Sequence, residues 1–289
     1  MLKNVCVCVL AMAAITESFA IVPNAGADGN FTWVGHAAGG SGTAIARRTV
    51  ITAKHATGSA YEILGTMYTA AYRINHPTMD IALLIFDEDL PGWHRLGRQA
   101  PVGSPISMVG LGRTGVVNSQ GTGYDIHWWS GGTRLAAPGT VDLHWFFEGW
   151  GPSLISWLEV NGDGAGVSGD SGGGYFIDGQ LVGVISYVFN NTGGVLPNYG
   201  FASLNDGVPY MGTGAIDLTD PDVRAWVLDK MVPAQCPADF DQDGFVSGLD
   251  FDLYVQAFEA GEADADFDED GFVTGLDFDS YVRAFDAGC

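Results

Sequence analysis

The chain has 289 residues, four cysteines and a formal charge of −22, from 34 acidic and 12 basic side chains. A polyanion of that density is repelled by phosphate, which argues against a nucleic-acid partner, and a 47% hydrophobic, 12% aromatic composition is too apolar for a disordered chain. The 42 glycines follow no period of three, so they mark tight turns and a β-rich fold.

At the N-terminus, Lys3 precedes an apolar run from Val5 to Ile15, and Thr-Glu-Ser-Phe-Ala follows. A basic start, a short apolar core and small residues near position 20 predict a secretory signal peptide over residues 1–20. The core is too short to cross roughly 30 Å of hydrocarbon as a helix, and no later segment does better, so no membrane span is expected. Cleavage after Ala20 satisfies the small–x–small rule through Ser18; cleavage after Ala27 does so through Ala25. The protein is thus expected outside the cell or held at its surface. Cys6 and Cys8 would leave with the signal. Cys236 and Cys289 would remain, either as one disulfide or as two free thiols.

From Ile21 to Val232, short apolar runs (residues 43–53, 81–86, 105–112 and 179–189) alternate with Gly, Pro and Asn. They predict buried strands of an all-β barrel or sandwich. One helix is expected, with Thr219 or Asp220 as its cap, Pro221 in its first turn and Val223, Trp226 and Val227 as its apolar stripe. Within this span, Thr-Val-Ile-Thr-Ala-Lys-His-Ala ends a strand at His55. His-Pro-Thr-Met-Asp-Ile-Ala-Leu-Leu places Asp80 just before another. Gly169-Asp170-Ser171-Gly172-Gly173 sets a serine in a turn that lets the backbone approach a carbonyl.

These segments resemble the TAAH, DIALL and GDSGG motifs of trypsin-like (chymotrypsin-fold) serine peptidases, in the same order, over residues 21–232. The resemblance implies two six-stranded β-barrels and a secreted serine endopeptidase of protein or peptide substrates that needs no cofactor for its chemistry. His55 would be the base for Ser171, and Asp80 would fix the imidazole tautomer. The N–H groups of Gly169 and Ser171 would form the oxyanion hole. Ala165 falls at the base of the specificity pocket, where an Asp would select Lys or Arg. Ser186 falls beneath the triad and Val188 on the pocket wall. Preference for a small or medium apolar residue before the scissile bond follows. A terminus freed at Ile21 would pair with Asp170 and order the oxyanion hole. Ala56 stands where the family often has a cysteine bridging to an earlier strand. Two other readings stay open: a non-catalytic adhesion or scaffold protein with a degenerate protease domain, and an esterase using the same triad.

Residues 236–289 hold fifteen acidic side chains and one basic one. Asp239–Phe258 and Asp266–Phe285 match at 16 of 20 positions with a period of 27. Each copy carries Asp at loop positions 1, 3, 5 and 12, glycine at 6 and a hydroxyl at 9. That is EF-hand spacing, suited to a calcium ion seeking six to eight oxygens. The expected ligands are Asp239, Asp241, Asp243, the Phe245 carbonyl, Ser247 and Asp250, then Asp266, Asp268, Asp270, the Phe272 carbonyl, Thr274 and Asp277. A helix follows each loop, with Leu249, Leu253, Tyr254, Ala257 and Phe258, or Leu276, Ser280, Tyr281, Ala284 and Phe285, as its stripe. Asp at position 12 and one helix per loop resemble the dockerin repeat. The resemblance implies a small α-helical module with two Ca²⁺ ions and a cohesin-like or other extracellular scaffold receptor. Gly248-Leu249 and Gly275-Leu276 replace the hydroxyl residues that the family often uses for recognition.

Overall fold

The computed structural model describes residues 19–21, 26–27, 30–117, 124–127, 131–158, 163–190, 211–232, 236–241, 245–268 and 271–288. Two antiparallel sheets dominate them. The seven-stranded sheet runs, in spatial order, Thr66–Thr69, Ala60–Ile63, Val34–Ala37, Gly40–Ala46, Thr49–Thr52, Ala82–Ile85, Tyr72–Asn75. The eight-stranded sheet runs Leu143–Phe147, Gly151–Trp157, Met211–Asp217, Gln180–Asn190, Gly174–Ile177, Pro105–Gly110, Leu135–Thr140, Gly26–Ala27. A third, small sheet joins Phe19–Ala20, Thr114–Val117 and Tyr124–His127. The four apolar runs all become strands. The first of them folds back on itself as the hairpin Gly40–Ala46/Thr49–Thr52, with Arg47-Arg48 at its tip.

The strand count departs from two sets of six. The larger sheet ends on the two-residue strand Gly26–Ala27 at one edge and on the hairpin Leu143–Phe147/Gly151–Trp157 at the other. One core cluster spans both large sheets, with Ile45, Ile51 and Leu83 from one and Val109, Phe176 and Val184 from the other. Helix α1 (Pro221–Lys230) adds Val223 and Val227 to it. As expected, Asp220 caps α1, accepting from the N–H groups of Asp222 and Val223.

Toward the C-terminus stand α2 (Gly248–Ala260) and α3 (Gly275–Ala287), each begun by a capping box, Ser247/Asp250 and Thr274/Asp277. Tyr254 and Tyr281, 27 positions apart, stack with centroids 3.7 Å apart. Each hydroxyl reaches across to the other repeat, Tyr254 donating to the Ala265 carbonyl and Tyr281 to that of Ala238. Leu249 and Leu276 leave the expected stripe: both are exposed, because the first turn of each helix lies beyond the stacked tyrosines. Among the described residues no helix is long and apolar enough to cross a membrane.

Candidate active site

Thr52 pairs with Ala82 where one strand ends and its antiparallel neighbour begins. The residues just after the first strand therefore lie beside those just before the second, which brings His55 to Asp80. His55 Nδ1 stands 2.7 Å from Asp80 Oδ2, and the His55 backbone N–H donates to Oδ1 at 2.9 Å. Asp80 is buried, and the Ser186 hydroxyl also donates to its Oδ2. Ser171 comes from the other sheet, in the turn before strand Gly174–Ile177. Its Oγ lies 2.8 Å from His55 Nε2. A hydrogen-bonded row, Ser171–His55–Asp80–Ser186, thus crosses the seam between the sheets.

The turn around Ser171 admits little but glycine. Gly172 has φ +89°, and a Cβ there would sit 2.0 Å from the Ser41 carbonyl oxygen. The N–H groups of Asp170, Gly172 and Gly173 donate to the carbonyls of Val167, Ile185 and Asp170. Those of Gly169 and Ser171 are taken up by no acceptor among the described residues. A group without a protein acceptor in a rigid turn can serve a ligand oxygen.

Three supports of the site carry no sequence motif. Ser41 donates its N–H to the Ser171 carbonyl at 2.8 Å and its hydroxyl to the Gly169 carbonyl at 2.8 Å. The same hydroxyl accepts the Leu111 N–H at 2.9 Å. Trp150 accepts the Asp80 N–H on its carbonyl at 3.1 Å and sets its ring edge-on to His55, centroids 5.9 Å apart. The Arg73 guanidinium donates to the carbonyls of Ala53, Lys54 and Gly58 at 3.2, 3.1 and 2.9 Å. It clamps the His55 loop at the point where Ala56 rules out a disulfide.

Asp170 is wholly buried. Its carboxylate accepts from Gly112 N and Val167 N, both at 2.8 Å, and from the backbone N–H of Ile21. Burial pushes its pKa up to about 7, against the pull of those three donors. Ile21 itself is fully buried and holds φ +56°, a left-handed conformation that a β-branched residue adopts only under strain. Ala20, just before it, pairs with Thr114.

Of the expected pocket residues, Ala165, Ser186 and Val188 are all buried. Val188 pairs with Thr213, whose hydroxyl accepts the Gly166 N–H at 2.9 Å. Ala165-Gly166, Val188 and Thr213 therefore converge, while the Ser186 hydroxyl is directed to Asp80 instead.

No protein-family model matches the chain, and no curated protein matches it. Among solved structures, the chain is similar to neuropsin, a serine protease expressed in the limbic system of mouse brain. That match has 17% identity over 70% of this chain and 95% of that one, with a TM-score of 0.49. It is also similar to an inactive serine-to-alanine mutant of Rv3671c from M. tuberculosis, at 15% identity over 68% of this chain and 82% of that one, TM-score 0.43.

The acidic loops gather their carboxylates as well. Asp239, Asp241 and Asp250 bring one oxygen each to within 4.8 Å of one another, and Asp266, Asp268 and Asp277 do the same. Asp250 accepts the N–H groups of Asp241 and Ser247 at 3.0 and 2.7 Å. Asp277 accepts those of Phe267, Asp268 and Thr274. Burial opposes ionisation of Asp277, yet these donors outweigh it and hold its pKa below the usual carboxylate value. Such an all-oxygen donor set fits a hard divalent cation of calcium's size. Phe245, Ser247, Phe272 and Thr274 flank the clusters, with both hydroxyls accepting helix N–H groups. Asp243, Asp270 and Cys289 lie outside the described residues.

Proposed function

We propose that this chain is a secreted serine endopeptidase of the trypsin-like type with a C-terminal, dockerin-like calcium module over residues 236–289. The observation that carries the reading is the unbroken row from the Ser171 hydroxyl through His55 to buried Asp80. A serine hydroxyl is protonated at neutral pH and needs an adjacent base. His55 Nε2 takes that proton as Oγ attacks the substrate carbonyl, then returns it to the leaving amine. Asp80, held by the His55 N–H, Ser186 and the Trp150 carbonyl, keeps Nδ1 protonated and stabilises the imidazolium. The Gly169 and Ser171 N–H groups receive the oxyanion, worth about 3 kcal/mol per donor. Closure of the pocket by Val188 and Thr213 over Ala165 favours a small or medium apolar residue before the scissile bond.

Signal removal after Ala20 completes the site. It frees an α-ammonium at Ile21, already against Asp170, and abolishes the strained φ at the same stroke. In the tail, each loop binds one Ca²⁺ through Asp239, Asp241, Asp243 and Asp250, or through Asp266, Asp268, Asp270 and Asp277. The Phe245 and Phe272 carbonyls and the position-9 hydroxyls complete the sets; the metal supplies charge neutralisation and loop order. Cys236 pairs with Cys289, the two cysteines left after signal removal. The module serves as an anchor to an extracellular receptor.

The test compares wild type with Ser171→Ala by fluorophosphonate labelling and digestion of a mixed peptide library, with and without a chelator. Labelling and cleavage by wild type alone, with cleavage after small apolar residues, are expected. Hydrolysis of esters but not peptides points to an esterase, and a wild type that resists labelling ends the enzymatic reading.

A further inference from the structure

The acidic tail does not face solvent alone. Arginines of the β-sheet region meet both of its loops. The Arg95 guanidinium lies 4.6 Å from the ring centroid of Phe240, the residue between Asp239 and Asp241. Arg98 donates to the Asp266 carbonyl, in the second loop, at 2.9 Å. Arg47 lies 5.4 Å over the Phe245 ring, and Gln180 donates to Asp264 between the loops. A cavity of about 240 Å³ is lined jointly by Arg95, Arg98, Asp239 and Asp264. The cavity sets Arg95 and Arg98 beside Asp239, a carboxylate that the calcium reading assigns as a ligand.

We propose that this arginine face is a docking surface for the chain's own calcium module, and that docking and calcium loading oppose each other through charge. The inference rests on the calcium reading above. Four aspartates give each metal-free loop a charge of about −4, which a divalent ion halves. Arg95 and Arg98 attract the emptier loop more strongly, and by the same interaction they repel the incoming cation. Linkage makes the effect reciprocal: the factor by which the arginines weaken calcium binding is the factor by which calcium weakens docking. An anchor that releases from the β-sheet region as calcium rises would free the module for an external receptor only in calcium-rich surroundings.

The experiment is a calorimetric calcium titration of the full chain, in a Ser171→Ala background to prevent autolysis, at low and at high salt. Arg95→Gln/Arg98→Gln is compared with the parent and with Arg95→Lys/Arg98→Lys, which keeps the charge but loses the planar contacts. We expect two ions per chain in all three, with affinity roughly tenfold tighter in the glutamine variant at low salt and the gain shrinking as salt screens the pair. The lysine variant should titrate like the parent. Equal affinity in parent and glutamine variant, or equal tightening in both variants, overturns the proposal. No calcium binding by any of the three overturns the calcium reading itself.

Discussion

The junction at Ile21 yields the sharpest quantitative test. Consider two forms in a Ser171→Ala background, one retaining Phe19-Ala20 and one beginning at Ile21. In the longer form Asp170 faces only backbone N–H donors and titrates near 7, against 3.8 for an ordinary aspartate. That displacement corresponds to about 4 kcal/mol against ionisation. The folded longer form holds a proton that the unfolded chain releases above pH 4. This stability is therefore full below the unfolded value and is lost as pH rises through about 7. Between pH 5 and pH 7 the loss from this group is roughly 2–3 kcal/mol, or about 5–10 °C in melting temperature for a chain of this size. Strain at φ +56° adds about 1–3 kcal/mol that does not vary with pH. In the form starting at Ile21 the α-ammonium pairs with ionised Asp170, so no such loss sets in until the amine itself loses its proton. Melting both forms from pH 5 to pH 8 isolates the difference, since the remaining carboxylates are common to both. Parallel loss of stability in the two forms would refute the argument. So would full fluorophosphonate labelling of an otherwise wild-type protein that still carries Phe19-Ala20.

Arg73→Met removes three charge-assisted bonds to the His55 loop and, because the site is only half-buried, should cost about 2–3 kcal/mol; Arg73→Lys should recover part of it. Unchanged melting and kcat/KM in Arg73→Met would dismiss the clamp. Gly172→Ala forces a methyl to 2.0 Å from the Ser41 carbonyl and 2.3 Å from Thr52 Oγ1, and should cost about 3 kcal/mol or more with loss of labelling. Ser41→Ala frees the Gly169 carbonyl and the Leu111 N–H, and a fall of about tenfold in kcat with little change in KM is expected; a shift in KM alone would contradict a role in holding the turn. Asp277→Asn should reduce the calorimetric calcium count from two to one, leaving the first loop's ion in place.

Much of the site was legible because its signals are local. His55 and Asp80 sit at strand ends that apolar runs mark out. Gly172 must be glycine because its own φ requires it. Asp220 caps its helix through donors two and three residues away. The internal repeat places both carboxylate clusters by spacing alone. Other features follow no local rule: the two-residue strand Gly26–Ala27 is too short to show a period, and Leu143–Phe147 is apolar at four of five positions yet buries none of them.

The amino-acid sequence by itself determined which chemical groups are present and where turns, caps and strand ends hold them. Only the tertiary structure decided which groups meet: Ser41 with Ser171, 130 positions apart, Arg73 with the His55 loop, Trp150 with Asp80, and Arg95 with the acidic tail. Capping and turn formation are settled by the energies of a few adjacent residues. The meeting of distant groups depends on how whole sheets pair and pack, and no short stretch of chain encodes that register.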